Sequence, residues 1–209
     1  MDKADLDLIR NAAFPQGELG LQMIDGMNRG HAELTQWGFQ HITFGSRILD
    51  VGCGGGAALN VLANLLPDAS LVGCDISPLA VKSAREFNSE FTQSGRMIVK
   101  QTGVPNLDLP DNSFDVVYSI ESLYFWSDVV AGLQDVLRVL IPGGTFMTAL
   151  EMVGGAMSAH HEEIAKELKM FCPSPDELEN EIKQAGFIEV VIDENRTKGW
   201  VCAVAKKSK

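Results

Sequence analysis

The most constraining feature of this sequence is a glycine-dense turn. Gly52-Cys53-Gly54-Gly55-Gly56-Ala57 lies between a short apolar run, Arg47–Val51, and an apolar helical stretch that ends near Pro67. Glycines at such a turn let the backbone bend sharply and approach a ligand closely. A run, a glycine turn and a helix in that order open an α/β fold. Further short runs follow at Ser70–Asp75, Arg96–Gln101, Asp115–Ile120 and Gly144–Glu151. They are apolar enough for strands covered on both faces.

Helix-period faces separate these runs. Ala80, Ala84, Phe87 and Phe91 make one, and Val130, Leu133, Leu137 and Leu140 another. Such alternation requires right-handed crossovers and a parallel sheet. Ser77-Pro78 places an N-cap before a first-turn proline, and Gly95 is positioned to close that helix. Ser174 and Glu177 have the spacing of a capping box, and Ala185-Gly186 ends the helix they start. Pro142-Gly143-Gly144 predicts a stop and turn before the fifth strand.

The last two runs, Phe187–Asp193 and Gly199–Ala205, are separated only by Glu194–Lys198. That is too short for a crossover, so they are predicted to form an antiparallel hairpin. Residues 1–44 read as helical, with Met23, Met27, Leu34, Trp37 and Ile42 among their apolar positions. No repeat or linker divides the chain. It is expected to be one domain, with a helical N-terminal cap over 1–44 and an α/β core over 45–209.

Charge narrows the partners. Lys and Arg total 17 against 28 Asp and Glu, a net charge of −11. A nucleic-acid or anionic-membrane binder concentrates basic residues, and the one basic cluster here is the tail Lys206-Lys207-Ser208-Lys209. The expected partner is a neutral or cationic small molecule. Cys53, Cys74, Cys172 and Cys202 form no C-x-x-C pair. No secretory leader and no apolar run of membrane-spanning length stands out. The expectation is a reduced, cytoplasmic protein.

Asp75 ends the second run, 23 residues past Gly52. A carboxylate there is placed to accept hydrogen bonds from ribose hydroxyls. Glycine turn, helix and distal acid together read as a nucleoside-cofactor site. The turn formally fits a dinucleotide pattern, but Asp50 stands two residues before Gly52. It would repel a pyrophosphate at the helix N-terminus. S-adenosylmethionine has no phosphate and carries an ammonium and a sulfonium, which tolerate the acid.

These residues resemble class I S-adenosylmethionine-dependent methyltransferases, most of all the branch holding the ubiquinone/menaquinone C-methyltransferases and many small-molecule enzymes. Asp50-Val51-Gly52-Cys53-Gly54-Gly55-Gly56 is similar to the first motif, and Asp75-Ile76 to the ribose-binding acid with an apolar residue against adenine. Residues 107–115 and 137–144 resemble the segments entering the fourth and fifth strands. The resemblance implies a doubly wound, Rossmann-like seven-stranded sheet of order 3-2-1-4-5-7-6 with strand 7 antiparallel. It implies Ser119 near the cofactor and the N-terminal segment as a lid. The family's adenine-contacting side chain falls at Gly103, which lacks one, leaving the Val104 amide for that contact.

Ligands of open α/β sheets sit outside the carboxyl ends of the strands. Glu121, Tyr124, Phe125 and Trp126 follow the fourth strand and are expected there, Glu121 as a catalytic acid or base and Tyr124 and Trp126 against the acceptor. His31 is the N-terminal candidate for proton transfer. His160-His161-Glu162-Glu163 lacks ligands at i and i+4, so no metal site is expected. Cys53 and Cys74 read as small core residues. The expected reaction is in-line methyl transfer from S-adenosylmethionine to a small-molecule acceptor. The alternatives are an NAD(P)-dependent oxidoreductase and a non-catalytic S-adenosylmethionine-binding protein. Acceptor, methylated atom and oligomeric state are not specified by these residues.

Overall fold

The computed structural model describes residues 3–155 and 157–209. Three helices, α1 (Lys3–Ile9), α2 (Gly17–Gly30) and α3 (Ala32–Phe39), precede strand β1 (Arg47–Val51). There follow α4 (Ala57–Leu65), β2 (Ser70–Asp75), α5 (Pro78–Phe87), α6 (Ser89–Gln93), β3 (Met97–Gln101) and β4 (Phe114–Ile120). A single 3₁₀ turn, Leu123–Phe125, leads to α7 (Val129–Val139) and β5 (Leu140–Leu150). The chain ends with α8 (Ala159–Leu168), α9 (Pro175–Gln184), β6 (Ile188–Asn195) and β7 (Trp200–Lys206).

The strands form one seven-stranded sheet in the order β3-β2-β1-β4-β5-β7-β6. The first five are mutually parallel, and β7 runs antiparallel to both neighbours. The order reverses between β1 and β4, which opens a cleft beyond their carboxyl ends. Successive residues of β1 serve opposite faces. Leu49 joins a core with Leu133 and Phe146, while Ile48 joins one with Leu59 and Leu71.

The predicted caps are present. Ser77 accepts the Ala80 N–H, and Ser174 and Glu177 close a capping box. The helix predicted from Ser77 to Gly95 is broken at Asn88, which is 1% exposed. The Asn88 amide donates to the carbonyls of Gly56 and Ala84, 3.0 Å each, and so ties the break to the glycine turn. The turn predicted at Pro142-Gly143-Gly144 lies inside β5 instead. The β4–β5 register jumps from Phe114↔Leu140 to Val116↔Thr145, so residues 141–144 bulge without ending the strand. Gly143 supplies the positive φ of +78° for that bulge, and its N–H bonds to the Lys207 carbonyl at 3.1 Å.

The N-terminal helices pack on the cleft side. A Cβ on Gly55 would lie 2.4 Å from the Asn28 amide and 2.6 Å from Ile24, so α2 rests directly on the glycine turn. His41, just past α3, bonds Asp193 of β6 at 2.8 Å, and Lys198 bonds Glu33 at 2.7 Å. These contacts hold α3 against the terminal hairpin.

Candidate active site

A cavity of about 320 Å³ occupies the cleft. Its floor is the β1–α4 turn. Gly52, Gly54 and Gly56 adopt φ of +80°, +50° and +79°, a region that penalises any Cβ. The N–H groups of Gly52 and Cys53 both donate to the Cys74 carbonyl at 2.9 Å, which clamps the turn to β2. Gly52, Gly54 and Gly55 line the cavity. Gly56 does not, because it faces α5, where a Cβ would lie 2.6 Å from Asn88.

Asp75 reaches the cavity from the end of β2. Its carboxylate accepts the Gly54 N–H at 3.0 Å and the Ser77 N–H at 2.8 Å. Burial holds its pKa above the usual carboxylate range, and those N–H donors pull it back only in part. Ile76, Gly103 and Val104 line the same end. Gly103 is closely covered, since a Cβ there would meet Ile76 at 2.4 Å.

Asp50 lies between the two halves of the cavity and is 2% exposed. Burial pushes its pKa to about 8. The Tyr118 hydroxyl lies beside it and partly offsets this without reaching good hydrogen-bond geometry. A buried acid facing a cavity without a strong partner is a ready acceptor for a cationic ligand group.

The other end is built by residues from distant segments. Glu121, just past β4, takes a left-handed φ of +56°. Its Oε1 accepts the Tyr124 hydroxyl and the Glu151 N–H, both at 2.6 Å. Its Oε2 faces His31 Nε2 at 3.9 Å, and the same nitrogen is 3.9 Å from Glu151 Oε1. Burial, helped by the Glu151 charge, raises Glu121 to about 8. Burial also lowers His31 below the ordinary histidine value, against the pull of Glu151.

His31, Glu121, Phe125 and Trp126 line the cavity, whereas Tyr124 and Ser119 lie behind its wall. Tyr124 is 2% exposed and points away, bracing Glu121 and accepting the Met152 N–H at 2.7 Å. In a 3₁₀ turn successive side chains diverge by about 120°, so Tyr124 and its neighbours cannot share one face. Ser119 is fully buried and bonds the Ser122 hydroxyl at 2.7 Å. Ser122 does line the cavity, and its hydroxyl donates to the Val51 carbonyl at 2.8 Å. Ser122 and Glu151 were missed by the sequence reading. Neither sits in a motif, and only the pairing of β1, β4 and β5 brings them here. Cys53 and Cys74 are buried, and burial raises both thiols.

Residues 49–148 match the family model described as a methyltransferase domain. The chain is 34% identical over 146 residues to an O-methyltransferase of Penicillium expansum, covering 68% of this chain and 52% of that one. It is 32% identical over 134 residues to a sterol 24-C-methyltransferase of Aspergillus fumigatus, covering 64% of this chain and 34% of the relative. The chain thus spans about half the length, or less, of these curated relatives. Among solved structures it superposes on a putative methyltransferase of Haloferax volcanii, in complex with the Trm112 methyltransferase activator. That match has a TM-score of 0.79 and 22% identity, over 89% of this chain and 93% of the other. A Haemonchus contortus phosphoethanolamine N-methyltransferase matches with a TM-score of 0.78 and 15% identity, over 90% and 57% of the two chains. The sheet order, the glycine turn with its distal acid and the sequence matches agree: residues 49–148 match a methyltransferase domain in sequence, on a fold shared with solved methyltransferases.

Proposed function

We propose that the protein transfers a methyl group from S-adenosylmethionine to a small-molecule acceptor. The observation that carries this reading is the single cavity joining the glycine turn and Asp75 to the Glu121, His31 and Trp126 end. In this reading the cofactor ribose bonds Asp75, and the adenine packs against Ile76 beside Gly103 and Val104. The ammonium meets Asp50 below the glycine turn. The sulfonium methyl then faces Glu121 and His31.

Methyl transfer from a sulfonium is an in-line displacement with a neutral leaving group. The new bond forms at the acceptor atom as the carbon–sulfur bond breaks, and its electron pair stays on sulfur. The protein's task is alignment of acceptor and methyl. Phe125 and Trp126 supply an apolar wall, and Glu121 a fixed polar contact. Helices α2 and α3 cover the mouth and carry His31 over it. The named relatives methylate oxygen and carbon, and the Haemonchus enzyme nitrogen. The acceptor atom is therefore sought among all three. The C-methyltransferase branch of the resemblance stays one candidate.

The test is a screen of small hydroxyl, amine and carbon acceptors with labelled S-adenosylmethionine, reading label transfer and S-adenosylhomocysteine release together. Label appearing in an acceptor is the expected result. Reduction of NAD(P) by any of these compounds, without label transfer, would establish the oxidoreductase instead.

A further inference from the structure

We propose that His31, Glu121 and Glu151 form a divalent-cation site in the wall of the cavity. Three separate segments deliver them: the α2–α3 junction, the end of β4 and the end of β5. His31 Nε2 lies 3.9 Å from Glu121 Oε2 and 3.9 Å from Glu151 Oε1. One donor atom from each residue lies within 4.8 Å of the other two. A point equidistant from three atoms so spaced is roughly 2.3–2.5 Å from each, inside the ~2.0–2.6 Å range of bonds from divalent cations to nitrogen and oxygen. The atoms need little movement to coordinate.

A second observation comes from the way Glu121 is held. Its side chain is only 8% exposed. The Tyr124 hydroxyl and the Glu151 N–H both fix Oε1, while Oε2 meets no hydrogen-bond donor among the described residues. Outer donors that fix one carboxylate oxygen and leave the other aimed inward are a common support for a metal ligand. The His31 ring likewise makes no hydrogen bond among the described residues. No Lys or Arg pairs with Glu121 or Glu151 among those residues either, so both carboxylates face the imidazole without a fixed positive charge. Taking a buried carboxylate from water without a countercharge is costly. A divalent cation removes that cost for the buried Glu121 and also neutralises the partly exposed Glu151 beside it.

One imidazole and two carboxylates suit Mn²⁺ or Zn²⁺ better than a site built of oxygen alone. Three protein ligands leave coordination positions for water or for a lone pair of the acceptor. That second role rests on the function proposed above, whereas binding of the ion does not.

The test uses the full chain freed of metal by a chelator and then dialysed. Mn²⁺ is titrated in with the free-ion electron-paramagnetic-resonance signal as readout, and Zn²⁺ is titrated separately by calorimetry. The expected result is one site per chain for at least one of the two ions. Glu151→Gln and His31→Ala should each weaken it by about 10- to 100-fold. Thermal melts of both variants show whether they remain folded. If either does not, Tyr124→Phe, which removes only a supporting hydroxyl, should still weaken the ion measurably. No saturable binding of either ion to the wild type overturns the proposal, as does unchanged affinity in the folded variants. S-adenosylhomocysteine binding to the wild type, measured in parallel, reports on the methyltransferase reading independently.

Discussion

Replacing Asp75 by alanine should cost cofactor affinity by an amount the geometry sets. In the free protein its two oxygens accept the Gly54 and Ser77 N–H groups at 3.0 and 2.8 Å. Each carboxylate oxygen keeps a further lone pair, which suits a ribose diol. Hydrogen bonds to a charged group contribute about 1.5–3 kcal/mol. Loss of the ribose contact should therefore weaken S-adenosylhomocysteine binding by roughly 10- to 150-fold. The Ala variant also leaves the Gly54 N–H without its acceptor, which pushes the result toward the upper end. Asp75→Asn retains one carbonyl oxygen and should fall between Ala and wild type. The assay is isothermal titration calorimetry, with thermal melts to show that each variant is folded. An Ala variant binding within threefold of wild type would refute the assignment of Asp75 to the cofactor.

Three further outcomes are expected. Burial pushes the folded-state pKa of Asp50 to about 8, from an ordinary value of 3.8. Between those values the folded state holds a proton that the unfolded state has lost, so the free protein loses stability as pH rises from about 4 to 8. Melts at pH 5.5 and 8 should show this slope, and Asp50→Asn should flatten it; an equal slope in the variant contradicts the burial argument. Gly52→Ala should cost at least about 2 kcal/mol in denaturant unfolding, because φ is +80° and the new Cβ would lie 2.3 Å from Ser122 Cβ. Wild-type stability in that variant would show that the turn relaxes freely. With a net charge of −11, the protein should give no electrophoretic shift of DNA or RNA at micromolar concentration in ~150 mM salt. A clear shift would reveal a basic surface that the charge total hides.

What was legible in the sequence was local. Ser77, Ser174 and the glycines at 52, 54 and 56 announce themselves because caps and positive φ angles demand particular residue types. The hairpin followed from a connection too short for a helix, and the sheet order from the resemblance. What stayed hidden depends on pairing across the sheet. Glu151 reaches His31 only because β5 lies beside β4, and Ser122 reaches the Val51 carbonyl only because β4 lies beside β1. The adjacent histidines at 160 and 161 are visible in the sequence, whereas His31, Glu121 and Glu151 meet only because the fold brings three segments together. Its position just past the fourth strand puts Tyr124 toward the acceptor. The 3₁₀ turn decides otherwise, sending its hydroxyl to the back of Glu121. Pro142-Gly143-Gly144 carried a true signal of irregularity, but neighbouring strands absorbed it as a bulge.

The most direct test of the account is a crystal structure with S-adenosylhomocysteine bound. The account predicts the ribose on Asp75, the adenine beside Ile76 and Val104, the ammonium near Asp50, and the sulfur facing Glu121 and His31 within the one cavity. A ligand bound elsewhere, or one lying in the cavity with its sulfur turned away from Glu121 and His31, would contradict it.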